Sequence, residues 1–235
     1  MKGNNSKSRS GHFKVRRRRG NYLTVSGKYP SHQNEFALYF EGFRERDLFV
    51  HLAFDESVER VDDHPFLISY KVGKAKKKYT PDAKIVFRPM TSQATARRPL
   101  VVEVKVESEL ERRAELLQPT FDAAAAHCDS LEMDFLVVTE KTLSRPAVRN
   151  LRFLYRYRQH RPAPSLLEAI RKLLAEKGPL TLQQLIADLG PASADSGKVI
   201  AAAWHLVSMR TVAVNLHAPL SIRSELCLGP WSTCI

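Results

Sequence analysis

Two β-branched apolar runs that carry charged side chains constrain the fold of this chain most. The runs, residues 79–87 and 100–106, are short and separated by a polar connection, which predicts two neighbouring strands joined as a hairpin. Glu103 and Lys105 are two residues apart, so the period of a strand turns both side chains to one face. The hairpin would bring Asp82, at the head of the first strand, beside Glu103. Two carboxylates and an ammonium group would then share one small space.

Such a cluster is suited to holding a divalent cation. Crowded carboxylates repel each other, and Mg²⁺ relieves that repulsion while it holds water and phosphate oxygens. A neighbouring lysine can orient or deprotonate the attacking water, or stabilise charge on the phosphate. The alternative is an exposed strand face with an ordinary Glu and Lys pair, and the short string Glu103-Val104-Lys105 taken alone favours it. The strand context and the upstream Pro81-Asp82 favour the cluster, and the whole pattern resembles that of the PD-(D/E)xK nucleases.

The charge of the chain indicates a polyanionic partner. Its formal net charge is +12 and its pI is about 9.8, which is typical of proteins that bind nucleic acid. Residues 1–34 contain no Asp or Glu, and such a basic arm gains affinity by releasing counterions from phosphates. A solubilising or targeting tail is the alternative. The predicted DNA contacts in the arm and before the cluster are Arg16, Arg17, Arg18, Arg19, Lys74, Lys76, Lys77 and Lys78.

Length and composition exclude several other classes. At 235 residues the chain can hold one large domain, or a medium domain with a small one. No apolar run approaches the roughly 20 residues that span a bilayer, and the polar, basic start does not resemble a secretory signal. We therefore expect a soluble cytoplasmic protein with no membrane partner. Its three cysteines, Cys128, Cys227 and Cys234, lack metal-ligand spacing, which favours reduced thiols over a disulfide framework or a zinc site.

A helix is predicted upstream of the cluster. Residues 43–54 have a helical pattern that places Leu48, Phe49 and Leu52 on one stripe. Glu45 has i+3 and i+4 spacing to this stripe, so its carboxylate would lie beside the buried face. A surface glutamate near its arginine neighbours is an equal alternative. Residues 64–70 are then predicted to form a strand that enters the sheet.

These residues together resemble TnsA, the endonuclease subunit of heteromeric cut-and-paste transposases, including CRISPR-associated ones. The resemblance covers roughly residues 22–160 and rests on Glu45, Phe54-Asp55, Val58, Pro65, Pro81-Asp82 and Glu103-Val104-Lys105. It implies that the catalytic residues are Glu45, Asp82, Glu103 and Lys105. The chain departs from the family at His64, where Gln is frequent, and some members have Gln in place of Glu103.

The resemblance also implies a fold, a cofactor and partners. The fold would be an α/β restriction-endonuclease-like mixed sheet flanked by helices. Mg²⁺, or Mn²⁺, would be held by Glu45, Asp82 and Glu103. The substrate would be the double-stranded DNA of the transposon ends, nicked at the 5′ ends in a bacterial cytoplasm. The partners would be a TnsB-like DDE transposase and a TnsC-like AAA+ ATPase.

The segments after the cluster complete the first predicted domain. Residues 107–127 are predicted to form a helix split by Pro119, and 135–140 a buried strand. Residues 150–158 alternate aromatic and arginine side chains, which suits a helix facing DNA or a subunit, although Leu151 and Leu154 suit a core equally well. A strand that follows a helix favours a mixed sheet.

The C-terminal third predicts a winged-helix domain. Capping boxes at Ser165 and Thr181 open two helices that Gly178-Pro179 and Gly190-Pro191 would end, and 196–209 forms a third before a β-hairpin. The third helix is mostly apolar, which favours protein docking over base reading. The predicted division is a basic arm over 1–21, a nuclease domain over 22–160, a winged helix over 165–228 and a tail over 229–235.

Two other functions remain open at this point. The same chemistry could belong to a stand-alone restriction or repair nuclease that needs no transposase. A non-catalytic DNA-binding adaptor is the third possibility, but an inert scaffold has no need to bear the cost of gathering carboxylates.

Overall fold

The protein has a mixed α/β fold. The computed structural model describes residues 25–89, 97–193 and 195–231. In this part of the chain the strands are β1 (Gly27–Tyr29), β2 (Leu38–Phe40), β3 (Val58–Asp63), β4 (Ile68–Val72), β5 (Ala75–Tyr79), β6 (Ala83–Phe87), β7 (Leu100–Val104), β8 (Asp134–Val138), β9 (Leu180–Thr181), β10 (Val212–Ala213) and β11 (Glu225–Leu228). The helices are α1 (Phe43–Leu52), α2 (Glu107–Asp129), α3 (Arg145–Tyr155), α4 (Pro164–Lys177), α5 (Leu182–Ser193) and α6 (Ser196–Ser208).

A four-stranded mixed sheet in the order β3-β6-β7-β8 forms the centre. Strand β6 is antiparallel to β3 and β7, whereas β7 and β8 are parallel. All five residues of β7 are buried, because helices cover both faces of the sheet. Val102 shares a core with α1 and α3, whereas Val101 packs with Cys128 of α2. The predicted mixed sheet flanked by helices is confirmed, and it is consistent with a restriction-endonuclease-like fold.

The hairpin that was predicted to carry the site is present. Strands β6 and β7 pair in a register that places Ala83 opposite Val102. The predicted helix is also present as α1, and its stripe of Leu48, Phe49 and Leu52 is buried. The sheet and the helix therefore deliver the predicted charged residues from three neighbouring elements.

The strand predicted at residues 64–70 is wrong in its extent and its partner. Strand β4 begins at Ile68 and pairs only with β5, in a separate two-stranded hairpin that turns at Gly73. Exposed side chains cover most of this hairpin, so it has no apolar face to bury in the central sheet. Tyr70 anchors it to α2, since the Tyr70 hydroxyl lies 2.6 Å from Oγ1 of Thr120.

Two further predictions about elements around the sheet are wrong. Strand β8 is not fully buried, because it lies at the edge of the sheet and leaves Leu136 39% exposed. Helix α2 is not split at Pro119, since the non-helical backbone is at Arg113. Pro119 lies inside the helix, and the non-helical residue is six positions before it, outside the turn whose hydrogen bond a proline removes.

The C-terminal third packs three helices against a small sheet in the order β10-β11-β9. The capping box at Thr181 is confirmed, because Oγ1 of Thr181 accepts from the Gln184 amide while Oε1 of Gln184 accepts from the Thr181 amide.

The predicted capping box at Ser165 is wrong, since Pro164 already opens α4. The predicted end at Gly190-Pro191 is wrong as well, because α5 extends to Ser193. Pro191 lies in the last turn of α5, where it removes one backbone hydrogen bond and the helix ends two residues later.

Helix α3 joins the two predicted domains through one continuous core. The rings of Phe153 in α3 and Trp204 in α6 meet edge to face at 5.6 Å between centroids. Nδ2 of the buried Asn150 donates to the carbonyls of Leu216 and Ala218, both at 2.7 Å. The core interpretation of the stretch 150–158 is supported, since Leu151 and Leu154 are fully buried. None of the helices in the described ranges is long and apolar enough to cross a membrane.

Trp231 anchors the end of the described chain to this core, although it lies in the stretch predicted as a tail. It is 7% exposed, its ring centroid is 5.5 Å from that of Phe54, and its Nε1 donates to the Val207 carbonyl at 2.8 Å. We expect Trp231→Ala to lower the free energy of unfolding by about 3 kcal/mol, because it removes a large buried side chain. Urea unfolding of the full chain measures this. Trp231→Phe keeps a ring against Phe54 and should lose less, whereas equal stability of Trp231→Ala and wild type would contradict the anchoring role.

Candidate active site

The four predicted charged residues converge at the C-terminal end of β7. Glu45 lies in the first turn of α1, Asp82 directly precedes β6, Glu103 lies within β7, and Lys105 follows that strand by one residue. The Asp82 carboxylate interacts electrostatically with each of the other three side chains. The sequence prediction that these groups share one space agrees with the structure.

Asp82 is the most constrained of the four. Its Oδ2 accepts a hydrogen bond from the Val104 amide at 2.7 Å, which fixes the carboxylate against the end of β7. Burial, followed by the charges of Glu103 and Glu45, raises the pKa of Asp82 well above its usual range. The hydrogen bond from Val104 and the charge of Lys105 oppose this shift only in part. The carboxylate is therefore crowded by like charges, which is the environment that a bound cation stabilises.

Glu103 is 4% exposed and has a hydrogen-bond donor on each oxygen. Its Oε2 accepts from the Tyr79 hydroxyl at 2.6 Å, and its Oε1 accepts from the Lys105 ammonium. Burial would lower the pKa of Lys105, but the charge and hydrogen bond of Glu103, together with the charges of Asp82 and Glu109, outweigh burial and raise it. Lys105 is thus held as an ammonium ion. Each carboxylate oxygen has a second lone pair, so Glu103 can still face a cation.

Tyr79 was not predicted as a site residue. It lies at the end of β5, and burial together with the neighbouring Glu103 charge raises the pKa of its hydroxyl. The phenol therefore stays protonated, and its hydroxyl donates a hydrogen bond to Oε2 of Glu103. An aromatic residue at the end of a lysine-rich strand gives no sequence signal for this role, since the contact depends on how the β4-β5 hairpin folds back.

Glu45 faces the cluster rather than the surface. Its Oε2 accepts from the Glu41 amide at 2.8 Å and lies 3.9 Å from Nε2 of His64. Burial raises the pKa of Glu45, and the hydrogen bond from Glu41 opposes the shift. Of the two alternatives left by the sequence, the structure favours the one in which Glu45 belongs to the site.

His64 is an additional member of the cluster. One ligand atom each of Glu45, His64 and Asp82 lie within 4.8 Å of one another, a group able to hold a metal ion. The backbone of His64 has φ of 47°, and its amide donates to the Asp82 carbonyl at 3.1 Å. Burial would lower the pKa of His64, but Asp63, Glu45 and Asp82 together raise it. The only sequence signal was the departure from the Gln that the resemblance implies at this position.

The donor set fits a divalent cation. Carboxylate oxygens suit Mg²⁺ and Mn²⁺, and one imidazole nitrogen among them is better tolerated by Mn²⁺. The raised pKa of Asp82 comes from burial and from the Glu103 and Glu45 charges, and a cation beside them would offset this repulsion. The residues present are therefore able to hold a divalent cation.

The predicted DNA contacts lie partly within the described residues. Lys74 lies in the turn of the β4-β5 hairpin, and Lys76, Lys77 and Lys78 lie on β5 with exposed side chains. This strand leads directly to Tyr79 and then to Asp82. The arginines of the basic arm, Arg16, Arg17, Arg18 and Arg19, lie outside the described residues.

Comparison with known proteins identifies two adjoining matches. A family model described as TnsA-like endonuclease N terminal matches residues 55–140, and one described as TnsA endonuclease C terminal matches residues 143–216. Together they cover more than half of the chain. Asp82, Glu103 and Lys105 lie within the first match, whereas Glu45 precedes it. A search of curated proteins finds no match.

Proposed function

Because this chain belongs to the TnsA family of transposase endonuclease subunits, as its motifs predicted, we propose that it hydrolyses DNA phosphodiesters with a divalent metal ion. The observation that carries this proposal is the grouping of Glu45, His64 and Asp82 beside the Glu103–Lys105 pair. Buried like charges are costly to the fold, so their convergence is best explained by a cation and a phosphate that they bind.

The three carboxylates would be ligands of the ion in different positions. Asp82 lies between Glu45 and Glu103, and we assign it the central ligand position because both neighbours raise its pKa. Glu45 and His64 lie within 4.8 Å of Asp82 and would provide the neighbouring donors, and Glu103, which lies outside that group, would add a further carboxylate next to Asp82. When bound, Mg²⁺ would supply Lewis-acid stabilisation of the charge that develops on the scissile phosphate.

Lys105 serves as a cation rather than as a proton acceptor. Burial would lower the pKa of the lysine, but Glu103, Asp82 and Glu109 together raise it, so its amine is protonated at neutral pH in the metal-free protein. A positioned ammonium group stabilises a phosphate more strongly as its negative charge grows. Tyr79 holds Glu103 from its second oxygen and thereby fixes the direction of the Glu103–Lys105 pair.

In transposition, the reaction would be a nick at each 5′ end of the element, made together with a TnsB-like DDE transposase and a TnsC-like AAA+ ATPase. The family supports this role, and the lysine-rich β4-β5 hairpin beside the site offers a surface for the DNA backbone. The apolar residues of α6 are buried in the core, so the protein-docking role that we propose for residues 165–228, arranged as a winged helix, rests on the TnsA C-terminal match instead. Residues 22–160 would form the nuclease unit, with the arm 1–21 on DNA.

End-cleavage assays test this function. The full chain is combined with a TnsB-like transposase, a TnsC-like ATPase, a DNA carrying both transposon ends, and Mg²⁺. Mapping of nicks to the nucleotide should show cuts at the 5′ ends that disappear with EDTA. Cleavage of plain duplex DNA by the chain alone would favour a stand-alone nuclease, and no cleavage in either reaction would contradict the proposal.

His64 should contribute to metal affinity. The variant His64→Asn suits the test because asparagine tolerates the left-handed backbone found at this position. We expect the affinity for Mn²⁺ to fall by about 10-fold to 100-fold, since one nitrogen donor or its orienting contacts are lost. Titration of the full chain with Mn²⁺ measures this. His160→Asn, at an exposed histidine outside the cluster, is the control, and unchanged affinity in His64→Asn would remove His64 from the site.

A further inference from the structure

A cleft lined by arginines lies on the other side of the β7 end from the Glu103–Lys105 pair. Its volume is about 320 Å³, and its walls come from α1, the end of β7, the loop after β8 and α3. The residues that line it are Phe43, Arg44, Arg46, Asp47, Val104, Glu140, Leu143, Arg145 and Arg152. Four arginines and two carboxylates give these walls a net positive charge.

The two carboxylates do not neutralise all four arginines. Asp47 forms ion pairs with Arg46 and with Arg152. Glu140 accepts a hydrogen bond from the Glu107 amide at the start of α2, which commits one of its oxygens. Arg44 and Arg145 are exposed, and within the described residues neither forms an ion pair at 4.0 Å or less. Two guanidinium groups thus line the cleft without a salt bridge at this distance, and they share the single carboxylate charge of Glu140.

Crowding among these cations is visible at Arg46 and Arg152. Burial, together with the neighbouring Arg46 charge, lowers the pKa of Arg152. Nε of Arg46 is buried and has no hydrogen-bond partner among the described residues. The cleft also includes Arg145 at the first position of α3, a helix of 11 residues, whose N-terminal dipole adds positive potential. An anion in the cleft would offset the positive charge of its walls.

The position of the cleft identifies the anion. Val104 lines the cleft and its amide donates to Asp82, so a single residue separates the arginines from the proposed metal ligands. Arg44 and Arg46 are also the sequence neighbours of Glu45. A DNA strand held with one phosphate at Asp82 has its next phosphate one nucleotide further on, a step of about 3.4 Å along the helix axis. Guanidinium groups bind phosphate oxygens in a fork, which suits such a contact.

We propose that this arginine cleft binds a backbone phosphate of the DNA strand that is cut, next to the scissile phosphate. The proposal rests on the proposed nuclease function and adds a second phosphate site to it. Its contribution is to position the strand, with Arg44 and Arg145 as the principal contacts. The cleft therefore fixes which phosphodiester reaches Asp82.

A binding experiment tests the cleft separately from cleavage. The full chain carrying Arg44→Gln and Arg145→Gln is titrated into a fluorescently labelled 30-base-pair DNA duplex with Ca²⁺, and anisotropy is recorded at several salt concentrations. Loss of one phosphate contact should weaken binding about tenfold near 0.1 M salt and make the slope of log K against log salt shallower by about 0.9. The control pair, Arg171→Gln with Lys172→Gln on α4, removes the same charge from side chains that pair with Glu168 and Glu176.

The outcomes separate the possible occupants and the two proposals. Unchanged affinity and salt slope in the cleft variant, or an equal loss in the control pair, would overturn the phosphate assignment. Normal DNA binding by the cleft variant, together with a loss of end cleavage in the reaction that contains the partner subunits, would overturn it in favour of an acidic protein segment. A wild-type chain that binds DNA through the cleft but neither binds metal nor cuts would leave the cleft in place and refute the nuclease function.

Discussion

Replacing Asp82 by asparagine is expected to reduce end cleavage by about 10³-fold or more, because the ligand between Glu45 and Glu103 loses its charge. Asparagine has nearly the same shape, and its side-chain oxygen can still accept from the Val104 amide, as Oδ2 of Asp82 does at 2.7 Å. The backbone at the end of β7 should therefore keep its position. The measurement is single-turnover nicking with the transposase, the ATPase and Mg²⁺.

The same variant should be at least as stable as wild type in metal-free buffer. Burial and the charges of Glu103 and Glu45 raise the pKa of Asp82, so removal of its charge relieves repulsion in the folded state. Thermal unfolding in EDTA measures this difference. Loss of cleavage without loss of stability would support a role in the reaction. Wild-type nicking by Asp82→Asn would contradict the assignment, and a marked loss of stability would indicate a structural role instead.

The second large effect is expected at Lys105. Replacing it by methionine keeps the length of the side chain but removes the ammonium group, and we expect the nicking rate to fall by about 10²-fold to 10³-fold. Because the lysine acts on the phosphate and not on the ion, Mn²⁺ affinity should be retained or increased in Lys105→Met. Loss of cleavage with intact metal binding is the signature that separates Lys105 from the carboxylates.

Two control experiments are needed to interpret this result. Lys172→Met removes the same charge from exposed α4 and should nick at the wild-type rate. Lys105→Met leaves the buried Glu103 with Tyr79 as its remaining donor, so its fold must be checked by thermal unfolding. Wild-type nicking by a folded Lys105→Met protein would remove the lysine from the mechanism.

Local patterns were sufficient to predict most of the cluster. The period of a strand places Glu103 and Lys105 on one face, and a hairpin between neighbouring strands brings Asp82 to the same end. The stripe of α1 likewise determines that Glu45 is near the buried face. These relations depend on residues that are close in sequence or joined by one turn, so alternation and spacing carry the information.

The contacts of His64 and Tyr79 could not be predicted in this way. His64 reaches Glu45 because its backbone adopts φ of 47° after β3, and no spacing rule anticipates that conformation for a histidine. Tyr79 reaches Glu103 because β4 and β5 form their own hairpin outside the central sheet, whereas the sequence pattern placed Tyr79 in one strand with residues 80–87. Both positions depend on tertiary packing between distant elements.

The arginine cleft was missed for a similar reason. Arg44 belongs to α1 and Arg145 to α3, and about a hundred residues separate them in the sequence. They meet only because both helices pack on the same face of the sheet. In the sequence, these arginines were noted only as surface neighbours of Glu45 or as part of a basic chain.

The most direct test is a titration of the full chain with Mn²⁺, followed by electron paramagnetic resonance, for wild type and for Asp82→Asn. Wild type should bind the ion, and Asp82→Asn should bind it at least about 10-fold to 100-fold more weakly. Asp188→Asn, which removes a carboxylate from the Lys177 ion pair on α5, should bind as wild type does. Equal Mn²⁺ affinity in wild type and Asp82→Asn, or no binding by wild type even with duplex DNA present, would contradict a metal-dependent active site at the end of β7.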